Sequence, residues 1–475
     1  MPPMPVVQAG QGGTASVSGG NVGSAGTNGN DGGGGNNYVA TPIAEAGGGG
    51  GGGTGSGAGA GSVSGGSGGN GVGGLAGGGV ILVSSTGGGG GNTTILSTDT
   101  AVAITGGAGG TGGGYAVIPA GKGSSGGGGA GVFLYENSTI VNRGTIRGGN
   151  GGSGRKDSSY GGIGGNGAGG ASGSTSSSVY SQGGAGIVGF SGGRTTITNG
   201  GTISGGLSGD GSTRTNAITF FGSSNTLILE NGYNFVGNIV AGTNGTLTFG
   251  GIVDSTFDLV VDGPLFSGFT NFAKQGNSTW SLLNTATLSS TLQLNVGTLQ
   301  LGNGTTDGAI AGDVNTASGA ILAFNPTQAD ETYSNQISGS GGIAKTGTKV
   351  TTLAGINTYS GSTTINAGTL TLGAGGSIAQ SSAVNLSSSG ARFDLAAAGN
   401  QTIKDLTGVN GTLLILGTNA ADVLTLGTAN STTFAGSASG NGGITKHGTG
   451  ILALQGLTLT QATPSSPGES LKLMD

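Results

Sequence analysis

The chain has 475 residues, of which 118 are glycine, 7% are charged and none is cysteine; 14 Lys and Arg against 19 Asp and Glu leave a net charge of −5. No basic cluster is longer than Arg155-Lys156, which argues against nucleic acid, whose affinity rests on many phosphate-neutralising cations. The lack of cysteine removes disulfide staples and thiolate metal sites.

Disordered chains combine low hydrophobicity with high charge, whereas this chain is nearly uncharged and rich in Gly, Ser, Thr and Asn. That mixture suits a β-repeat in which backbone hydrogen bonds dominate, glycine makes the turns and a thin core is filled by aliphatics. Residues 1–78 are almost pure Gly, Ser, Asn and Ala, with seven consecutive glycines at 47–53, and are expected to be loosely ordered. The start "MPPMPVVQAGQGG" lacks the basic and apolar parts of a secretory signal. The longest aliphatic runs, 80–83 and 413–416, are too short to span a bilayer as helices.

From 79 to 215 short β-prone phrases alternate with glycine runs. The first are "GVILVSS", "TTILS" and "TAVAITG" at 79–85, 93–97 and 100–106. The phrases at 139–149 and 196–206 share the pattern T-I-x-N-x-G-T-I-x-G-G, predicting two short strands that meet at a corner. Glycine runs such as 161–170 then become insertions that loop out of successive coils.

From 216 to 460 strand phrases follow closely, from "AITFFG" to "STTFAG", and the tail 461–475 is expected to be disordered. Within this region the chain writes one stretch twice. Residues 274–302 and 345–373 align without a gap at an offset of 71, with 11 of 29 positions identical. Each copy opens on K-x-G and closes on "NVGTLQLG" or "NAGTLTLG"; a third start appears at Lys446. In "GTLTLG", Leu370 and Leu372 fall on one face of a strand and Thr369 and Thr371 on the other. Strands at this spacing also fit a sandwich or a barrel. The fixed period, the scarcity of hairpin signals and the aliphatic alternation favour an all-β, right-handed parallel β-helix with long glycine-rich insertions, the 71-residue unit being about three coils of roughly 20 to 25 residues.

The series K-x-G followed by N-T-Y-S-G-x-T-T-I-N-A-G-T-L-x-L-G resembles the autotransporter-associated β-strand repeat, also called the passenger-associated transport repeat. The fullest copy is 345–373; in the weaker copy Leu288 stands where Tyr359 does. The resemblance implies a bacterial passenger, secreted or displayed at the cell surface, non-enzymatic, with adhesion or matrix contact through its loops. It also implies a β-barrel translocator as partner, which this sequence does not contain. With no signal peptide at its start and "ESLKLMD" at its end, the chain is expected to be a passenger fragment.

Candidate chemistry is sparse. His447, the one histidine, fills the variable position of K-x-G and reads as a solvent-facing turn residue. Lys274, Lys345 and Lys446 read as turn lysines that blunt strand edges, with a basic stripe for a polyanion as the rival. Asp254, Asp258 and Asp262 are spaced by four, and Asp258 and Asp262 are expected on one strand face. Paired carboxylates there would suit calcium or a glycosidase-like acid and base. The readings on balance are no catalytic, cofactor-binding or metal residue and no cofactor. The rival functions are a polysaccharide-active β-helix enzyme and a glycine-rich fibrous protein.

Overall fold

The computed structural model describes residues 130–134, 139–151, 182–189, 194–287 and 290–455, with short strands elsewhere. The expected solenoid is present: the paired strands run parallel, and their partners lie one coil away in sequence. The chain divides into two compact units, residues 1–247 with 264–270, and residues 248–263 with 271–475.

In the first unit the repeated phrases lie directly on one another. Thr139–Asn142 pairs with Thr196–Asn199, matching Ile140 to Ile197 and Asn142 to Asn199. After the corner, Thr145–Arg147 pairs with Thr202–Ser204, matching Ile146 to Ile203. The isoleucines are buried, and Asn142 donates from Nδ2 to Asn199 Oδ1 at 2.7 Å inside the stack. Such amide ladders follow from register, because identical side chains one coil apart face each other. The paired glycines that end each phrase serve close approach: a Cβ on Gly148 or Gly206 would overlap the carbonyl of Gly184 or Gly149.

Three expected strands upstream also join this stack. Val80–Leu82, Thr94–Leu96 and Ala103–Thr105 pair with 132–134, 139–141 and 145–147. Of the segment 1–78, four short strands fall among the described residues; its remainder, and the glycine run 161–170, lie outside them.

In the second unit each coil passes through three faces. The first carries Thr298–Leu301, Ile321–Phe324, Gly342–Lys345, Thr363–Ile365 and Ala383–Leu386. The second carries Glu331–Tyr333, Val350–Leu353, Thr369–Leu372 and Arg392–Asp394. The third carries Leu292–Leu294, Val314–Thr316 and Ile337–Gly339, and later Val423–Leu426 and Gly443–Lys446. Partners are 19 to 26 residues apart, from Leu282 with Leu301 to Gly408 with Phe434. Alternation is strict where expected: Leu370 and Leu372 are fully buried, and Thr369 and Thr371 point outward.

The duplicated stretch is not a whole number of coils. Three coils carry Lys274 through Leu294 and Thr316 to Gly339, an advance of 339 − 274 = 65 residues. Lys345 lies six residues further on, in another sheet, where it pairs with Phe324 and Ile365. The tail was expected to be without a strand. It contains Ser470–Met474, paired parallel with Ile451–Gln455, which its apolar and polar alternation permits.

Candidate functional site: the lysine turns

The K-x-G lysines are the feature that sequence reasoning placed wrongly. Lys274 and Lys345 have no exposed surface and Lys446 has 1%. Each ends a strand, and Lys345 and Lys446 share the parity of that strand's inward positions, as Ile343 and Lys345 do in Gly342–Lys345 and Ile444 and Lys446 do in Gly443–Lys446. Lys345 therefore occupies a core column between Phe324 and Ile365.

What makes a buried ammonium tolerable is the turn it closes. After each lysine the chain bends sharply and leaves turn carbonyls facing inward, and an ammonium offers three donors to such acceptors. Lys274 Nζ donates to Gln275 O at 2.9 Å, Gly276 O at 2.6 Å and, on the following coil, Val296 O at 3.3 Å. Lys345 Nζ donates to Gly347 O, and Lys446 Nζ donates to His447 O and to Gly448 O at 3.0 Å. Burial pushes Lys274 and Lys345 down to about 8, with nearby carboxylates, Asp254 for the first and Glu331 and Asp330 for the second, acting the other way.

The far end of the repeat is the lid of the same turn. Asn295 and Asn366 donate their backbone N–H to Lys274 O and Lys345 O at 2.9 and 2.8 Å. Two residues on, Gly297 and Gly368 adopt φ of +76° and +65° and lie against the K-x-G turn of the previous coil. A Cβ on Gly297 would overlap Gly276 O and come within 2.9 Å of Lys274 Nζ; one on Gly368 would overlap Gly347 O. K-x-G and N-x-G-T-L therefore occur together because they are two layers of one contact.

The middle of the fuller copy is structural as well. Asn357 accepts from Ile337 N at 2.9 Å and donates to Gly355 O at 2.9 Å. Tyr359 is fully buried, with its hydroxyl 2.6 Å from Thr363 Oγ1, which in turn meets Ser381 Oγ at 2.9 Å. Leu288, its counterpart, lies outside the described residues. Trp280, also fully buried, donates from Nε1 to Gly250 O at 2.7 Å.

The aspartates do not form the expected pair on a strand face. The strand ends at Asp258, and 259–262 is a turn, the conformation aspartate favours by bonding its own backbone. Asp258 Oδ1 accepts from Val260 N at 2.8 Å and Asn284 Nδ2 at 2.7 Å, and Asp262 Oδ2 accepts from Asp258 N at 2.9 Å. The Val260 N–H is the chief reason that Asp258 is held below the usual carboxylate range, against the opposing effect of burial. Asp254 accepts from Thr279 N at 2.7 Å, one coil on.

Other carboxylates cap strand starts or bends of the next coil in the same way. Asp313 accepts from Gln336 N, Asp330 from Val350 N, and Asp307 from the N–H groups of Thr327, Gln328 and Ala329. Their lone pairs serve the backbone, so millimolar calcium is expected to leave the thermal transition unmoved; an upward shift would show a cation site at these acids. Among the described residues no three His, Asp or Glu come together as a metal cluster. His447 is exposed, as expected, and its backbone contacts hold the turn.

The buried lysine turn over 345–373 coincides with a recognised motif: the family model described as passenger-associated-transport-repeat matches residues 343–372. The chain thus carries a passenger-associated transport repeat, and its resemblance to autotransporter passengers is borne out. A similar protein is the adhesin BmaC autotransporter of Brucella suis biovar 1 (strain 1330), 28% identical over 186 residues. That stretch is 38% of this chain and 5% of the adhesin, so the chain spans a small part of that relative's length. No solved structure matches.

Proposed function

We propose that this chain is a structural, non-catalytic segment of a surface-exposed or secreted bacterial passenger, whose stacked coils hold glycine-rich loops toward an adhesive partner such as a host surface or matrix component. The observation that carries the reading is the transport repeat itself, a sequence signature whose lysine, glycines, asparagine and tyrosine all serve coil stacking. The adhesin title of the similar protein supports the adhesive role. Against a polysaccharide-active enzyme stands the use of Asp254, Asp258 and Asp262 as backbone caps. No helix among the described residues is long and apolar enough to cross a membrane, which says nothing of a β-barrel.

The test has two arms. Surface proteolysis of intact producing cells should release fragments of this chain, and beads coated with the purified chain should bind epithelial cells or immobilised matrix proteins above albumin-coated beads. Protection of the chain until the cells are lysed would overturn surface display. Bead binding equal to albumin would overturn adhesion, and release of reducing ends from bacterial or plant polysaccharides would favour the enzyme.

A further inference from the structure

Beside the lysine turns stands one half-buried carboxylate, Glu331, that does not follow the backbone-capping pattern of its neighbours. Glu331 begins the strand Glu331–Tyr333, and the column of residues stacked on it runs Thr351, Leu370, Phe393 and Leu414, all fully buried. A carboxylate thus stands at the head of a core column. Asp307, Asp313 and Asp330 in the same region each accept backbone N–H groups, whereas the hydrogen bond Glu331 makes is with a hydroxyl, Thr351 Oγ1 at 2.8 Å. A hydroxyl serves a carboxylate as donor and a neutral carboxyl as acceptor, so this partner does not demand a charge.

The charged groups around it are few. Lys345, from the first face, attracts Glu331, and Asp307 repels it. Asp330, its chain neighbour, acts on Lys345, and Asp313 faces Tyr333. Lys345 does not pair with Glu331 directly, since its ammonium donates to Gly347 O; the ion pair among the described residues is Arg143 with Glu230.

We propose that Glu331, Thr351 and Lys345 form a proton-operated latch in the coil 326–353: a neutral Glu331 seats in the interior and seals the coil, and an ionised Glu331 loosens it. Drawing both groups out of water as ions is costly because their attraction, without direct pairing, returns only part of the hydration each gives up.

The direction follows from linkage. Burial, the largest influence, pushes Glu331 up to about 7 from an ordinary value of 4.5, with Thr351 and Lys345 opposing and Asp307 adding. Between 4.5 and 7 the folded coil holds a proton that the unfolded chain has released, so stability falls as pH rises through this window. Lys345 has the opposite sign. Its folded value of about 8 lies below 10.5, so between these values the unfolded chain binds the extra proton and stability rises with pH. The coil is therefore weakest between about pH 7 and 8, where both groups are charged.

Hydrogen exchange of the full chain at pH 5 and pH 7.5, corrected for intrinsic rates, tests this. The amides of 350–353 should open about tenfold more often at pH 7.5, while those of 383–386 keep their protection; Glu331→Gln should remove the difference. Equal opening at both pH values, or a difference that persists in Glu331→Gln, would overturn the latch. A carboxyl titration of wild-type Glu331 by carbon NMR is independent of any variant. A midpoint above 6 is expected, and one in the ordinary carboxylate range would equally overturn it.

Discussion

Lys274→Met is expected to cost about 2–4 kcal/mol of local stability. Methionine keeps the apolar stem but removes every donor, leaving Gln275 O, Gly276 O and Val296 O without the ammonium that now satisfies them. An unsatisfied buried acceptor costs about 1–3 kcal/mol, and the relief of no longer burying a charge offsets part of the sum. Coils contact their nearest neighbours, so a single global transition is a poor readout. The loss should appear as faster exchange of the Asn295 and Thr298 amides, which bond Lys274 O and Ser278 O. Exposed Lys349→Met should change these amides by less than about 0.5 kcal/mol. Equal effects of the two substitutions would return the repeat lysines to the surface role first expected of them.

The second large effect is at the lid. Gly368→Ala should cost about 3–5 kcal/mol, because alanine at φ +65° pays about 1–2 kcal/mol for the left-handed backbone and its Cβ meets two carbonyls that cannot yield cheaply. One is Gly347 O, which Lys345 already holds, and the other is Lys349 O at 2.7 Å. Gly375→Ala is the matched comparison: its φ is +80° but nothing lies within 4 Å of the added Cβ. It should cost only the backbone part, about 1 kcal/mol or a little more. If both substitutions cost the same, the layered contact between K-x-G and N-x-G-T-L carries no energy beyond glycine's conformational freedom.

Much of this architecture was legible in the residues. The alternation in "GTLTLG" gave the inward leucines, and the paired T-I-x-N phrases gave two strands and a corner that do stack in register. The lysines were misread because lysine on average faces water, and a turn position strengthens that expectation. The local signal against it was parity, since Ile343 and Lys345 share one side of their strand. The 71-residue offset was read as whole coils. Coil length varies with each turn, so the copies fall on different faces while keeping the lid contact, in which the Asn295 and Asn366 amides bond the lysine carbonyls. The fates of Asp258 and Asp262 were hidden for another reason: whether a carboxylate caps a turn or faces a cleft depends on where the strand ends, and it ends at Asp258.

The account stands on lysines sealed inside the coil stack, and their chemical accessibility reads this directly. Brief treatment of the folded chain with an amine-acylating reagent, followed by peptide mass spectrometry, compares Lys345 with Lys349 four residues away in the same coil. Lys349 should label rapidly, and Lys345, with Lys274 and Lys446, should label at least about a hundredfold more slowly until the chain is denatured. Comparable labelling of Lys345 and Lys349 in the folded chain would contradict the buried clamp and everything built on it.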